Sequence, residues 1–260
     1  MGKERRLTWT WCLVVWVAVT AAPLVRAADD PAKPDAIPPS PQVYKGRVIA
    51  QTMHYLGAPW LVRESRDREE EPAKLIASLK LRPEMTVCDM GAGNGFYAIR
   101  VARMLDPQKG GKVLAVDIQP QMLELLRKRA EAAKIKHVER ILGTLIDPKL
   151  PEKSCDLILC VDVYHEFSHP EQMLAAMRKA LKPDGRLVLV EFRLEDPDVP
   201  IKLLHKMSKA QIMKELPANG FKLVREYDDM PWQHVMFFER SDGPDDAIEF
   251  KPWAPPKKEK

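Results

Sequence analysis

The chain has 260 residues, 45% of them hydrophobic, which is enough to bury one substantial core and sets the expectation of a single globular domain with appendages. Most of its formal charge of +4 falls on Lys3, Arg5, Arg6 and Arg26, so the remainder is near neutral and lacks the broad basic surface that nucleic-acid phosphates require. Beyond Cys12 the cysteines are Cys88, Cys155 and Cys160, odd in number and without metal-ligand spacing, so no disulfide framework is visible; Cys88 and Cys160 sit in apolar runs and read as core.

In chain order, the basic residues Lys3, Arg5 and Arg6 precede an uncharged run of 19 residues, Leu7 to Val25, followed by Arg26-Ala27-Ala28. This predicts a signal peptide over residues 1–27, cleaved after Ala27, that delivers the domain to the periplasm or the extracellular space. The run also nearly matches the roughly 20 residues that span a bilayer, so a membrane anchor over residues 7–25 stands as the alternative. Membrane contact is expected only through this segment, if it is retained. Residues 28–43 are Pro-rich and polar and read as a linker, and residues 241–260, with four prolines and a terminal KKEK, read as a tail outside the fold.

Residues 44–240 are expected to form the domain. Within residues 44–71, Tyr44 to Leu61 reads either as an aromatic lid or as a helix packed on a sheet, and Arg63 to Glu71 as a solvated, salt-laced face. Helix-period and β-rich apolar runs then alternate: helix Pro72–Leu79, strand Met85–Met90, helix Tyr97–Leu105, strand Val113–Asp117, helix Pro120–Ala133 and strand Val138–Leu142. Strand Asp156–Val163, helix Pro170–Leu181 and strand Arg186–Phe192 follow, then helix Ser208–Leu216 and two strands, Phe221–Tyr227 and Val235–Arg240, that make a hairpin. Such alternation implies an α/β fold, a parallel sheet with helices on both faces.

Asp89-Met90-Gly91-Ala92-Gly93-Asn94-Gly95 ends the first of these strands, and its glycines permit a tight turn and close ligand approach where open α/β sheets bind ligands. A dinucleotide fingerprint would put its third glycine at Phe96, which argues against a nicotinamide cofactor. Asp117, at the end of the next strand, is placed to accept hydrogen bonds from ribose hydroxyls. Further on stand Gly143-Thr144-Leu145, Asp156-Leu157-Ile158 through Asp162-Val163-Tyr164-His165, and Leu181-Lys182-Pro183-Asp184-Gly185-Arg186.

With these motifs in this order the chain resembles the class I S-adenosylmethionine-dependent methyltransferases, type 11 or quinone-biosynthesis-like, over about Pro72 to Arg240. The resemblance implies a Rossmann-like, doubly wound, mostly parallel seven-stranded sheet with an antiparallel C-terminal hairpin. It also implies S-adenosylmethionine as cofactor, with Asp89, Gly91, Gly93, Gly95 and Asp162 around its methionine end and Asp117 and Ile118 at ribose and adenine. Thr144 and Leu145 stand where the family often has Gly-Asp, and are carried as adenine contacts. The absence of an Asn-Pro-Pro-Tyr-like run at Asp162 to His165 disfavours methylation of the base amino groups of nucleic acids, and a small-molecule or lipid-like methyl acceptor leads.

His165-Glu166-x-x-His169 has the spacing of a zinc-protease helix, but Pro170 starts a new helix and leaves these residues in a loop. No metal is assigned; convergence of His165, His169 and Glu191 from neighbouring strand ends is the alternative. His165 is the candidate base, because imidazole titrates near working pH, with Glu166 and Tyr164 placed to orient or replace it; a polar loop residue shaping the pocket is the competing reading. His205, Lys206, Trp232 and His234 are candidates to line the pocket. A non-catalytic cofactor-binding or interaction protein on the same fold, and a nicotinamide-dependent oxidoreductase, are the alternatives to an enzyme that methylates.

Overall fold

The computed structural model describes residues 37–255, and in it the alternating runs fold into a seven-stranded sheet with helices on both faces. An antiparallel ribbon of β1 (Val43–Tyr44) and β2 (Arg47–Val48) comes first, followed by a 3-10 run over Tyr55–Val62, α1 (Arg66–Glu70) and α2 (Pro72–Ser78). The sheet then begins with β3 (Thr86–Met90), α3 (Phe96–Ala102), β4 (Lys112–Asp117), α4 (Pro120–Ala132) and β5 (Val138–Leu142). It continues through β6 (Cys155–Val161), α5 (Pro170–Ala180), β7 (Leu181–Phe192), α6 (Lys209–Glu215), β8 (Phe221–Tyr227) and β9 (Gln233–Arg240).

The strand order is β5-β4-β3-β6-β7-β9-β8, with β3 to β7 parallel and β9 antiparallel to both its neighbours, the mostly parallel sheet with a C-terminal hairpin that the sequence implies. Chain order reverses at β3, which pairs with β4 on one side and β6 on the other. A crevice therefore opens beyond the carboxyl ends of these strands. Pro72, Pro120 and Pro170 each occupy the first turn of their helix, where a missing N–H costs nothing, and the Ser208 hydroxyl accepts from the Gln211 N–H to open α6. β3 sends Val87 into an apolar cluster with Leu75, Ile99 and Leu126 on one face, and Cys88 into another with Leu174, Met177 and Ile212 on the opposite face. Covering both faces explains why the central strands read as continuous apolar runs.

Several boundaries differ from the sequence reading. Lys182–Gly185, which the sequence reading leaves between helix Pro170–Leu181 and strand Arg186–Phe192, belongs to β7: the pairing jumps from Cys155–Leu181 to Leu157–Arg186, and a Cβ on Gly185 would lie 2.7 Å from the Cys155 carbonyl oxygen. The expected tail packs on the fold through Phe250, because the Ile248 N–H donates to Leu223 O at 2.9 Å, Phe250 packs on the Leu174 cluster, and Arg186 binds Asp245 at 2.6 Å. At the other end the linker docks, with Pro38 O accepting from His169 Nε2 at 2.7 Å. The expected leader lies outside the described residues, and among those described no helix is long and apolar enough to cross a membrane.

Candidate active site

The crevice at the switch point is a cavity of about 830 Å³. Its floor is the turn between β3 and α3, which only a residue without a side chain can build. Gly91 has φ of +67° and a Cβ there would stand 2.3 Å from Val163 Cγ2. Gly93 has φ of +52°, and its N–H donates to Asp117 Oδ2 at 2.9 Å. Asp117 Oδ1 accepts from the Gln119 N–H at 2.8 Å, so this carboxylate braces the glycine turn as well as facing the cavity. Burial raises its pKa, and the Gln119 and Gly93 N–H groups pull it back.

Of the expected cofactor residues, Gly91, Gly93, Asp117, Ile118, Thr144, Leu145 and Asp162 all line this cavity. Gly95 and Asp89 do not. Gly95 opens α3 at φ of +82°, and a Cβ there would meet Leu126 Cγ at 2.8 Å, so it serves close packing against α4. Asp89 is buried beneath the turn with Oδ2 unpartnered among the described residues, and burial raises its pKa to about 7. Asp162 follows β6 with the rare φ of +50°. One of its oxygens accepts from Gln233 Nε2 at 3.3 Å, the other is buried without a partner, and burial holds its pKa well above the usual carboxylate range.

Segment 51–63 walls the cavity with Met53, His54, Trp60 and Leu61, in extended and 3-10 backbone and not as a helix packed on the sheet. It is fastened to the floor: Gln119 receives the Tyr55 N–H at 2.8 Å and donates to Met53 O at 2.9 Å, and Asn94 Nδ2 donates to Ala58 O at 2.9 Å. The Arg63–Glu71 run corrects its reading as a solvated face. Arg66 and Glu70 are 5% and 1% exposed, pair at 2.8 Å, and line the cavity together with Arg63. Charge alternation alone did not reveal this, because i,i+4 pairs look the same on a wet and on a buried face.

The same cavity is lined by His165, Glu166 and His205. The first two fall in a 3-10 turn over Tyr164–Glu166, so the protease-like spacing has no helix to act on. His165 is 2% exposed; its Nδ1 lies 2.6 Å from Glu191 Oε2, while its Nε2 lies 3.1 Å from His205 Nδ1. The turn is anchored by Arg47, which donates to His165 O at 2.9 Å and pairs with Glu215 at 2.9 Å. Glu166 Oε2 accepts the Met53 N–H at 3.2 Å, and burial raises its pKa to about 7 against the opposing pull of His165.

Tyr164, expected beside the base, is instead fully buried and donates its hydroxyl to Glu215 Oε2 at 2.7 Å, away from the cavity. His169 is likewise drawn off, to Pro38 O and the Ser168 hydroxyl, so it does not converge with His165 and Glu191. Of the C-terminal candidates only His205 reaches the cavity; Lys206 donates to Asp196 O at 3.1 Å and His234 pairs with Glu195 at 2.8 Å. Trp232 lies outside the lining, its carbonyl accepting from the Arg193 N–H.

Comparison with known proteins places this geometry. Residues 81–237 match the family described as a methyltransferase domain. An uncharacterised methyltransferase-like protein of Schizosaccharomyces pombe is 34% identical over 134 residues, 51% of this chain and 47% of that protein. Demethylmenaquinone methyltransferase of Tropheryma whipplei is 37% identical over 108 residues, 41% of each chain. The chain thus spans about half the length of these curated relatives. Among solved structures, a SAM-dependent methyltransferase from Aquifex aeolicus superposes with a TM-score of 0.67 at 24% identity, over 72% of this chain and 98% of that one, a likeness of fold. With more than half of its length inside the family match and the same Rossmann-like sheet, the chain belongs to the methyltransferase-domain family.

Proposed function

We propose that the chain transfers a methyl group from S-adenosylmethionine to a small, apolar or lipid-like acceptor. One observation carries the reading: a single cavity is lined both by the Gly91–Gly93 and Asp117 cradle and by the His165–Glu166–His205 group. Its volume stands toward the upper end of small-molecule sites, roughly 300–1,000 Å³, which suits two ligands held side by side. When bound, the cofactor supplies a sulfonium methyl whose bond to sulfur breaks, leaving its electron pair on sulfur, as a bond to the acceptor forms.

The residues present fit that cofactor. Gly91 and Gly93 leave the space a Cβ would fill, and Asp117 keeps lone pairs for ribose hydroxyls. Ile118, Thr144 and Leu145 offer an edge to the adenine, and the unpartnered oxygen of Asp162 suits a cationic ammonium. Beside the acceptor end, Met53, Phe167, Phe192 and Ile201 make an apolar wall, and the His165–Glu166–His205 group activates the nucleophile. The likeness to demethylmenaquinone methyltransferase supports a quinol-like acceptor. The test is incubation of the full chain with methyl-labelled S-adenosylmethionine and a panel of quinols, phenols and fatty acids. Acceptor-dependent formation of S-adenosylhomocysteine is expected. Tight cofactor binding with no turnover on any of them would favour the non-catalytic reading.

A further inference from the structure

The acceptor end of the cavity has the make-up of a transition-metal site. His165 Nε2, His205 Nδ1 and Glu166 Oε1 form a triangle with edges of 3.1, 3.9 and 3.8 Å. Ligand atoms about 2.0–2.1 Å from a tetrahedral ion stand roughly 3.3 Å apart, so closing this triangle on an ion needs shifts of only a few tenths of an ångström. Among the described residues this is the group of histidine and carboxylate side chains whose donor atoms converge in this way.

The surroundings match as well. A metal-bound imidazole normally gives its other N–H to a carboxylate, which fixes the tautomer and leaves a lone pair toward the ion. His165 does so: its Nδ1 meets fully buried Glu191 at 2.6 Å, and the other oxygen of Glu191 accepts the Tyr164 N–H at 2.8 Å. Glu191 is thereby locked at both oxygens, and Nε2 of His165 is aimed into the triangle. Glu166 is held from its far side by the Met53 N–H, leaving Oε1 for the ion. All three donor residues line the cavity, which Phe192, Ile201 and Lys202 line as well, so an ion held there has cavity space beside it for further ligands.

We propose that His165, Glu166 and His205 bind one divalent first-row transition ion, with Glu191 as the positioning residue for His165, and that the open positions take an oxygen of the methyl acceptor. Two imidazoles and one carboxylate select zinc, cobalt or iron over magnesium and calcium, which prefer all-oxygen sites. An acceptor oxygen bound to the ion is favoured in its ionised, more nucleophilic form. The acceptor part rests on the function proposed above; the ion site itself does not.

The experiment is a cobalt titration of the untagged, chelator-stripped full chain, followed by visible absorption. One equivalent of cobalt is expected to give saturable d–d bands of a low-coordinate ion, displaced by zinc and not by magnesium. Because buried His165 contributes to the fold, the informative variants are His205→Gln, at the cavity edge, and Glu166→Gln. Each should weaken cobalt at least tenfold, while Glu191→Gln should shift the bands with cobalt still bound. S-adenosylhomocysteine affinity is measured in parallel. Absence of stoichiometric bands, or bands unchanged in His205→Gln, overturns the site, whatever the cofactor does. Stoichiometric cobalt without cofactor binding would instead sink the methyltransferase reading and leave the ion site standing.

Discussion

Replacing Asp117 by Asn separates the two jobs the structure gives this carboxylate. Its two oxygens accept from the Gly93 and Gln119 N–H groups at 2.9 and 2.8 Å, in a site where the side chain is nearly buried. An amide can accept from only one of them and turns its own N–H toward the other, stranding a buried donor. That costs about 2 kcal/mol, taken from the range of roughly 1–3 for such a loss. For a domain of this size it lowers Tm by roughly 4–8 °C. If the carboxylate also receives ribose hydroxyls, cofactor affinity falls by a further 10- to 100-fold, since hydrogen bonds to charged groups contribute about 1.5–3 kcal/mol. Thermal melts and calorimetric titration with S-adenosylhomocysteine, on the folded variant below its transition, measure the two effects separately. A lowered Tm with affinity within twofold of wild type would show that Asp117 only braces the turn, and would refute the ribose assignment.

Gly91→Ala should destabilise by about 2–5 kcal/mol, from the left-handed backbone and the 2.3 Å approach to Val163 together, with a lower urea midpoint as readout. Glu70→Gln should cost about 3 kcal/mol or more, because it leaves Arg66 buried beside a neutral partner; a change within 0.5 kcal/mol in a denaturant series would return this pair to a solvated role. Asp89, with a pKa of about 7 in the fold against about 3.9 unfolded, takes up a proton on folding, so its contribution is complete below pH 4 and is lost as pH rises through 7. Asp89→Asn should therefore gain on wild type by up to about 4 kcal/mol between pH 4 and 8, and a constant difference across that range contradicts the assignment. We propose that residues 1–27 are removed after Ala27, so N-terminal sequencing of the chain expressed from residue 1 should find Ala28 first; an intact residue 1 in the membrane fraction would support the anchor.

The sheet was legible because its signals are local and repeated: Pro at three helix starts, glycines at the β3 turn, and strands whose apolar runs announce cover on both faces. That Gly91, Gly93 and Asp117 would share one cavity was legible for the same reason, since they lie within one βαβ unit. The grouping of His165, Glu166 and His205 was harder because its members arrive from distant elements. His205 reaches His165 across 40 positions of sequence, and Arg47 of the ribbon pins the same turn from 118 positions away. Tyr164 was misplaced because the backbone leaves β6 in a 3-10 turn, which sends neighbouring side chains in opposite directions, one to Glu215 and the other to Glu191. The Arg63–Glu71 run misled for a different reason: its charges pair with each other and so satisfy the cost of burial without help from water.

Calorimetric titration of the full chain with S-adenosylmethionine and S-adenosylhomocysteine tests the central claim most directly, with the double variant Gly93→Val, Asp117→Ala beside it. Saturable binding at one site per chain is expected for both ligands, lost in the double variant while its circular dichroism stays that of a folded α/β protein. A folded wild-type chain that gives no binding heat with either ligand, or a double variant that binds both as wild type does, would contradict the account.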